Sequence, residues 1–167
     1  MNPPPRLLGG EYIVRPRETA GETETAVSEV MLRHPKTLPT HASIAEARAA
    51  LSNDHVHMVL LTEGTTLGGT LTRTDLPPAG SEGPALFWST LTGRTVPPDA
   101  PTRVVQDLLI DRGLRRVAVV NADGSLLGLV CLKRRRTGFC SEADVASRSR
   151  SHDEVTAQSV QDDVRSR

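Results

Sequence analysis

Two stretches of this chain place a hydroxyl three residues ahead of a carboxylate, close behind apolar residues. They are Gly69-Thr70-Leu71-Thr72-Arg73-Thr74-Asp75 and Gly138-Phe139-Cys140-Ser141-Glu142-Ala143-Asp144. Both fit Gly-h-h-Thr/Ser-x-x-Asp, where h is apolar or small. At the start of a helix, free backbone N–H groups and a side-chain hydroxyl suit a phosphate. A carboxylate can accept two hydrogen bonds at once. The same residues can also simply cap their helix, each worth about 1 kcal/mol. The motif alone leaves a ligand site and a plain cap both open.

The other polar groups suggest no reaction. There is no Ser-His-Asp grouping in a nucleophile-elbow context, no phosphate-cradling Gly-rich loop and no carboxylate pair in an evident pocket. Asp107, Asp111 and Asp123 are scattered and fit helix or turn roles. His55 and His57 could chelate from one strand face, but with only His34 and His41 upstream they lack an assured third ligand, so no metal site is expected. No enzyme activity is expected. Lys133–Arg136 reads as a solvated hairpin tip, with phosphate contact or RNA binding as alternative uses. Twenty acidic residues balance twenty Lys and Arg, so no global field draws the chain to nucleic acid, and no aromatic residues interleave the cations. No stretch approaches the roughly 20 apolar residues of a membrane span, and MNPPPRLLGG has no signal-peptide character, which points to the cytoplasm. Cys131 and Cys140 are too few for a disulfide scaffold. They are placed to face each other across a hairpin turning at Arg135-Arg136, as free, partly buried thiols.

The elements that position the motif come in two copies. KTLPTHASI at 36–44 recurs 58 positions later as RTVPPDAPT. Lys36, Thr37, Leu38, Pro39, Ala42 and Ile44 correspond to Arg94, Thr95, Val96, Pro97, Ala100 and Thr102. Each hook leads into a helical pattern, then an apolar run, a turn and another apolar run. Ser43 caps the first helix, whose apolar face is Ile44, Ala47, Ala50 and Leu51. Val104, Val105, Leu108 and Leu109 mark the second. The apolar runs match at a shift of 59, which places one extra residue between helix and strand in copy two. Two half-modules that cannot each bury a full core should pack together, leaving clefts where small ligands lodge.

The expected fold is α+β, with two β-α-β-β-α repeats packed through their sheets about a pseudo-twofold axis. Residues 1–25 read as a flexible tail, 26–76 as repeat one and 77–90 as a linker. Residues 91–147 read as repeat two with a hairpin extension near 133–138, and 148–167 as a polar tail or frayed helix.

With VSEVM, the two hooks and the Gly-h-h-Thr/Ser-x-x-Asp motif, the chain resembles a tandem cystathionine-β-synthase-type (CBS) domain pair, or Bateman module, over residues 27–147. The resemblance implies a cleft for an adenosine compound (AMP, ADP, ATP or S-adenosylmethionine) with no cofactor required. It implies Thr72 and Ser141 on the phosphate side and Asp75 and Asp144 as ribose clamps. Val56 and His57, with Leu114 and Arg115 in copy two, would line the adenine pocket, and Ala42 and Ala100 would approach base or ribose. Simple repeat alignment instead puts Cys131 and Arg134 at the second motif. An inserted hairpin before Ser141 is the preferred explanation. A homodimer and an unknown effector protein are implied partners. A ligandless interaction scaffold is the alternative.

Overall fold

A computed structural model of the chain describes residues 24–147 and, before them, the backbone of two short strands, β1 (Arg6–Leu8) and β2 (Tyr12–Val14). These two pair antiparallel, Leu7 opposite Ile13. The stretch assigned to a tail thus contains a hairpin, and in the sequence Gly9-Gly10 sits between its apolar arms. The C-terminal tail expected from residue 148 lies outside the described residues.

Repeat one supplies β3 (Thr37–Pro39), α1 (Ile44–Leu51), β4 (Val59–Glu63) and β5 (Thr66–Leu71), and repeat two supplies β6 (Thr95–Val96), α2 (Thr102–Asp111), β7 (Arg116–Val120) and β8 (Leu126–Cys131). Each half forms one three-stranded sheet: β3 runs parallel to β4, which is antiparallel to β5, and β6-β7-β8 repeats that order. The hooks end their strands at proline and turn into the helices. At α1, Ser43 Oγ accepts the Glu46 N–H at 3.2 Å while the Glu46 carboxylate accepts the Ser43 N–H at 2.7 Å, a reciprocal cap. Ile44, Ala47 and Leu51 are buried, as are Val105, Leu108 and Leu109 on α2, so the apolar faces follow the sequence pattern.

Strand pairing relocates the extra residue. Leu38 faces Leu61 and Val96 faces Val119, so β4 and β7 match at 58. Gly69 faces Leu61 and Gly128 faces Val119, so β5 and β8 match at 59. The extra residue therefore lies in the β7–β8 turn, not between helix and strand. Turns absorb such insertions at the surface, whereas a shift along β7 would flip every side chain to the wrong face.

The dyad is visible in contacts between equivalent residues. Leu67 N–H donates to Gly124 O at 3.1 Å, and Leu126 N–H donates to Thr65 O at 2.8 Å, the same bond made twice across the axis. Below these bonds Met58, Leu60, Leu67, Ala118 and Leu129 form one buried cluster shared by both sheets.

The lead-in segments cross over. Val27 is fully buried, and it packs with Val96, Val105 and Val117 of repeat two. Its N–H donates to Ala100 O, and Leu32 and Leu129 exchange two hydrogen bonds. Conversely Ala85, expected in a linker, is buried in the core of repeat one, with its N–H on Ala42 O. Each lead-in thus packs into the core of the other repeat. Crossing over leaves no compositional trace, because Val27 and Ala85 satisfy either core.

Candidate ligand-binding cleft

The two hairpins and the crossed lead-ins leave a cavity of about 490 Å³ between the repeats, within the range of small-molecule sites. From repeat one come the hook residues His34, Pro35 and Lys36 and the approach to β4, with Val56 and Met58. From repeat two come Arg116, Leu129 and three residues of the helical stretch 142–147, Glu142, Val145 and Ala146. The lining thus combines apolar side chains with two cations, Lys36 and Arg116, and one carboxylate, Glu142. Arg116 spans the cleft, one guanidinium N–H donating to His55 O at 3.0 Å, while its buried Nε finds no partner among the described residues. Glu142 accepts the Arg33 N–H at 2.9 Å.

Ser141 and Asp144 start this helix as expected. Asp144 accepts the Ser141 N–H at 2.9 Å, and the Asp144 N–H donates to Ser141 Oγ at 3.1 Å. Lys133 Nζ lies 4.0 Å from the Asp144 carboxylate. Neither motif residue lines the cavity; the lining carboxylate is Glu142, which sequence reasoning missed although it lies inside the motif. Cys131 closes β8 in the core, and Arg134 is exposed at the hairpin tip, so the repeat-aligned pair is not at a helix start.

The extension hairpin is present. Leu132 bridges Phe139, and the buried Cys131 and Cys140 thiols stand 3.0 Å apart. Burial pushes the Cys131 thiol up to about 11, against the pull of Arg116. This hairpin splits the motif. Gly69 lies where the crossing linker touches β5, and an added Cβ would stand 2.6 Å from Ser89 Cβ. The glycine that plays this part in repeat two is Gly128, whose Cβ would stand 2.5 Å from Leu32 O. Gly138 is a turn residue at φ 144° with open space around it. The contiguous match at 138–144 therefore combines a genuine helix start with a turn glycine, and the packing glycine lies ten positions earlier.

The first motif is engaged differently. Asp75 accepts the Thr72 N–H at 2.7 Å and the Thr72 hydroxyl at 2.8 Å. It also receives a two-point contact from Arg94, at 2.5 and 3.0 Å. Burial alone would raise the Asp75 carboxyl; the Arg94 and Thr72 hydrogen bonds outweigh it and hold the group below its usual range. Pro77-Pro78 limits this helix to the single turn Arg73–Asp75. Ala42 and Ala100 are buried, with their carbonyls engaged by Ala85 and Val27, and they do not line the cavity. Leu114 packs against the core of repeat two.

His57 and Arg115, equivalent across the dyad, meet at 3.2 Å. A guanidinium only donates, so His57 Nε2 accepts and the ring carries its proton on Nδ1. Burial, then Arg116 and Arg115, push His57 down to about 4. The unfolded ring titrates near 6.5, so acid favours the unfolded chain once the pH falls below that value. Stability should drop by about 1 kcal/mol between pH 6.5 and 5, since the half-buried ring stays in partial contact with water. Urea midpoints across this window check it: His57→Gln should flatten the slope, and an unchanged slope would refute it.

Comparison with known proteins gives a consistent picture. The CBS domain profile matches twice, over residues 27–76 and 94–134. None of the curated proteins matches the chain. Among solved structures, an AMP-complexed CBS domain protein from Pyrobaculum aerophilum is 25% identical, covers 74% of this chain and 97% of its own, and superposes with a TM-score of 0.56. A CBS domain protein of unknown function from Thermoplasma acidophilum is 20% identical, with coverages of 78% and 77% and a TM-score of 0.55. A CBS domain pair solved with 5'-methylthioadenosine and S-adenosylmethionine is 20% identical, with coverages of 65% and 90% and a TM-score of 0.54. With both repeats matched, two equivalent sheets and a cleft between them, the chain belongs to the CBS domain family.

Proposed function

We propose that this chain is a non-catalytic regulatory module that binds an adenosine nucleotide or S-adenosylmethionine between its repeats and passes its occupancy to an effector protein. The observation that carries this reading is the 490 Å³ cleft, whose apolar wall joins Lys36 and Arg116 to Glu142. The apolar wall suits a base, the cations suit phosphates or a carboxylate, and Glu142 suits hydroxyls or an ammonium group. Ligands carried by similar structures support the class: AMP in the Pyrobaculum protein, 5'-methylthioadenosine and S-adenosylmethionine in the other pair.

The reading includes a cytoplasmic homodimer. Leu86, Phe87, Trp88 and Leu91 are exposed on the crossing linker, and Phe87 and Trp88 stack edge to face at 5.3 Å. At the equivalent positions, 58 earlier, the first lead-in carries Ser28, Glu29, Val30 and Arg33. Three of these four are polar, so the fold does not require apolar residues at positions 86, 87 and 91, which supports a protein partner on that face.

Thermal melting with AMP, ATP and S-adenosylmethionine tests the ligand. At 100 times its dissociation constant, a bound ligand stabilises the fold by about 2.7 kcal/mol. Ala146 is exposed at the cavity wall, so Ala146→Trp should fill the cleft and remove the shift while the protein still melts cooperatively. No shift with any of the three compounds would favour a ligandless interaction scaffold.

A further inference from the structure

Both cysteines of the chain meet in one small core beside the cleft. Cys131 closes β8, held in register with Arg116 of β7, so its sulfur sits on a hydrogen-bonded sheet. Cys140 stands opposite it on the returning arm of the extension hairpin. Leu132 bridges Phe139 there, and the Cys140 N–H donates to Cys131 O at 2.7 Å. The two side chains converge, each 1% exposed, with the Cys131 thiol donating to Cys140 Sγ at 3.0 Å. Leu32 and Val145 pack on the pair, and both also line the cleft. Repeat one has no such arrangement. Its residue equivalent to Cys131 is Thr72, which leads directly into the turn Arg73–Asp75. The second sulfur thus comes with the inserted hairpin, and it stands two residues ahead of Glu142.

We propose that Cys131 and Cys140 form a redox-active dithiol, oxidised by hydrogen peroxide to a disulfide that fastens the helical wall of the cleft to β8. The Cys140 sulfur, acceptor of the thiol hydrogen bond, attacks one peroxide oxygen. The O–O bond breaks, leaving a sulfenic acid and releasing water. The Cys131 sulfur then attacks Cys140 Sγ, the S–O bond breaks, and the hydroxyl leaves with the Cys131 proton as a second water. Two electrons pass from the sulfurs to the peroxide. The sulfurs need approach by only about 1 Å to reach bonding distance. The fold already holds them side by side, so closing the loop costs little further chain entropy. Burial keeps the Cys131 thiol protonated, which slows the reaction, and it excludes bulky oxidants, which selects a small one. The covalent tie acts at the residue before Ser141, where the helix at 142–147 starts, so Glu142, Val145 and Ala146 lose freedom with it. The step needs no ligand in the cleft.

The test treats the full-length wild-type protein with hydrogen peroxide, then denatures it and alkylates the remaining thiols with iodoacetamide. Mass spectrometry should find two alkylated cysteines before oxidation and none after, the oxidised chain being lighter by two hydrogens. Dithiothreitol should restore both thiols. Hydrogen exchange at residues 142–147 should slow by about tenfold in the oxidised protein. Cys140→Ser given the same treatment should show no slowing; should it fail to fold, the dithiothreitol-reduced wild type is the control. Thiols that survive the peroxide, or cysteine peptides that gain oxygen instead of a disulfide, would overturn the redox pair. So would a disulfide between chains, seen as a dimer on a non-reducing gel. An internal disulfide with unchanged exchange at 142–147 would overturn the fastening of the wall.

Discussion

Gly128→Ala is expected to cost about 2–3 kcal/mol of unfolding free energy and to abolish ligand binding, whereas Gly69→Ala should be recoverable by one further change. Both glycines sit where a crossing lead-in presses on the third strand of a sheet, and neither has a positive φ. Ala is therefore conformationally allowed and would gain a few tenths of a kcal/mol through the unfolded chain. Overpacking decides the sign. At Gly128 the new methyl would meet Leu32 O at 2.5 Å and Met31 Sδ at 2.8 Å. A carbonyl cannot rotate away, so the whole lead-in must shift. That would break the double hydrogen bond of Leu32 with Leu129 and disturb two residues of the cleft wall. At Gly69 the nearest obstacles are the Ser89 side chain and Leu86 Cδ1. The double variant Gly69→Ala/Ser89→Gly should regain most of the loss, as an interaction free energy above 1 kcal/mol in a double-mutant cycle. Urea unfolding measures both. Equal losses at the two glycines with no rescue at 69 would refute the crossing-point account.

The physics behind these glycines also explains what the sequence could and could not reveal. Ile44, Ala47 and Leu51, or Val105, Leu108 and Leu109, announce their helices because burial imposes a period along one segment. The repeat and its dyad were legible for the same reason: duplicated hooks must occupy equivalent places. Crossing of the lead-ins was not legible, because pairing between distant segments leaves no local period. Nor was the ion pair of Asp75 with Arg94, nineteen residues apart along the chain. Thr72-x-x-Asp75 predicted a helix start that is present, and a ribose clamp whose carboxylate is already engaged. Glu142 shows the reverse: its position within the motif carried no signal, and only the fold brings it to the cavity. The register shift at the β7–β8 turn shows why a one-residue insertion could not be placed by matching apolar runs, since Val-rich strands align almost equally well at 58 and 59.

Leu60→Ala should destabilise the entire module by about 3 kcal/mol in a single transition, although Leu60 belongs to one repeat. Its side chain is fully buried in the cluster that both sheets share, against Met58, Leu67, Ala118 and Leu129. Truncation removes three carbons and leaves a cavity, because the strands on both sides are fixed by their hydrogen bonds and cannot collapse; buried Leu→Ala changes cost about 2–5 kcal/mol. The symmetric bonds that link Leu67 to Gly124 and Leu126 to Thr65 run along the same seam, so loosening one sheet loosens the other. Each half also lacks its own lead-in: without repeat two, Val27 has no core to enter, and without repeat one, Ala85 has none. Neither half can therefore persist while its neighbour melts. Asp107→Ala is the matching control, since that side chain is exposed on α2 and its loss should cost no more than about 0.5 kcal/mol. Calorimetry on Leu60→Ala decides the matter. Two separated transitions, with one repeat surviving the other, would show that the shared seam and the crossed lead-ins do not bind the halves into one cooperative unit.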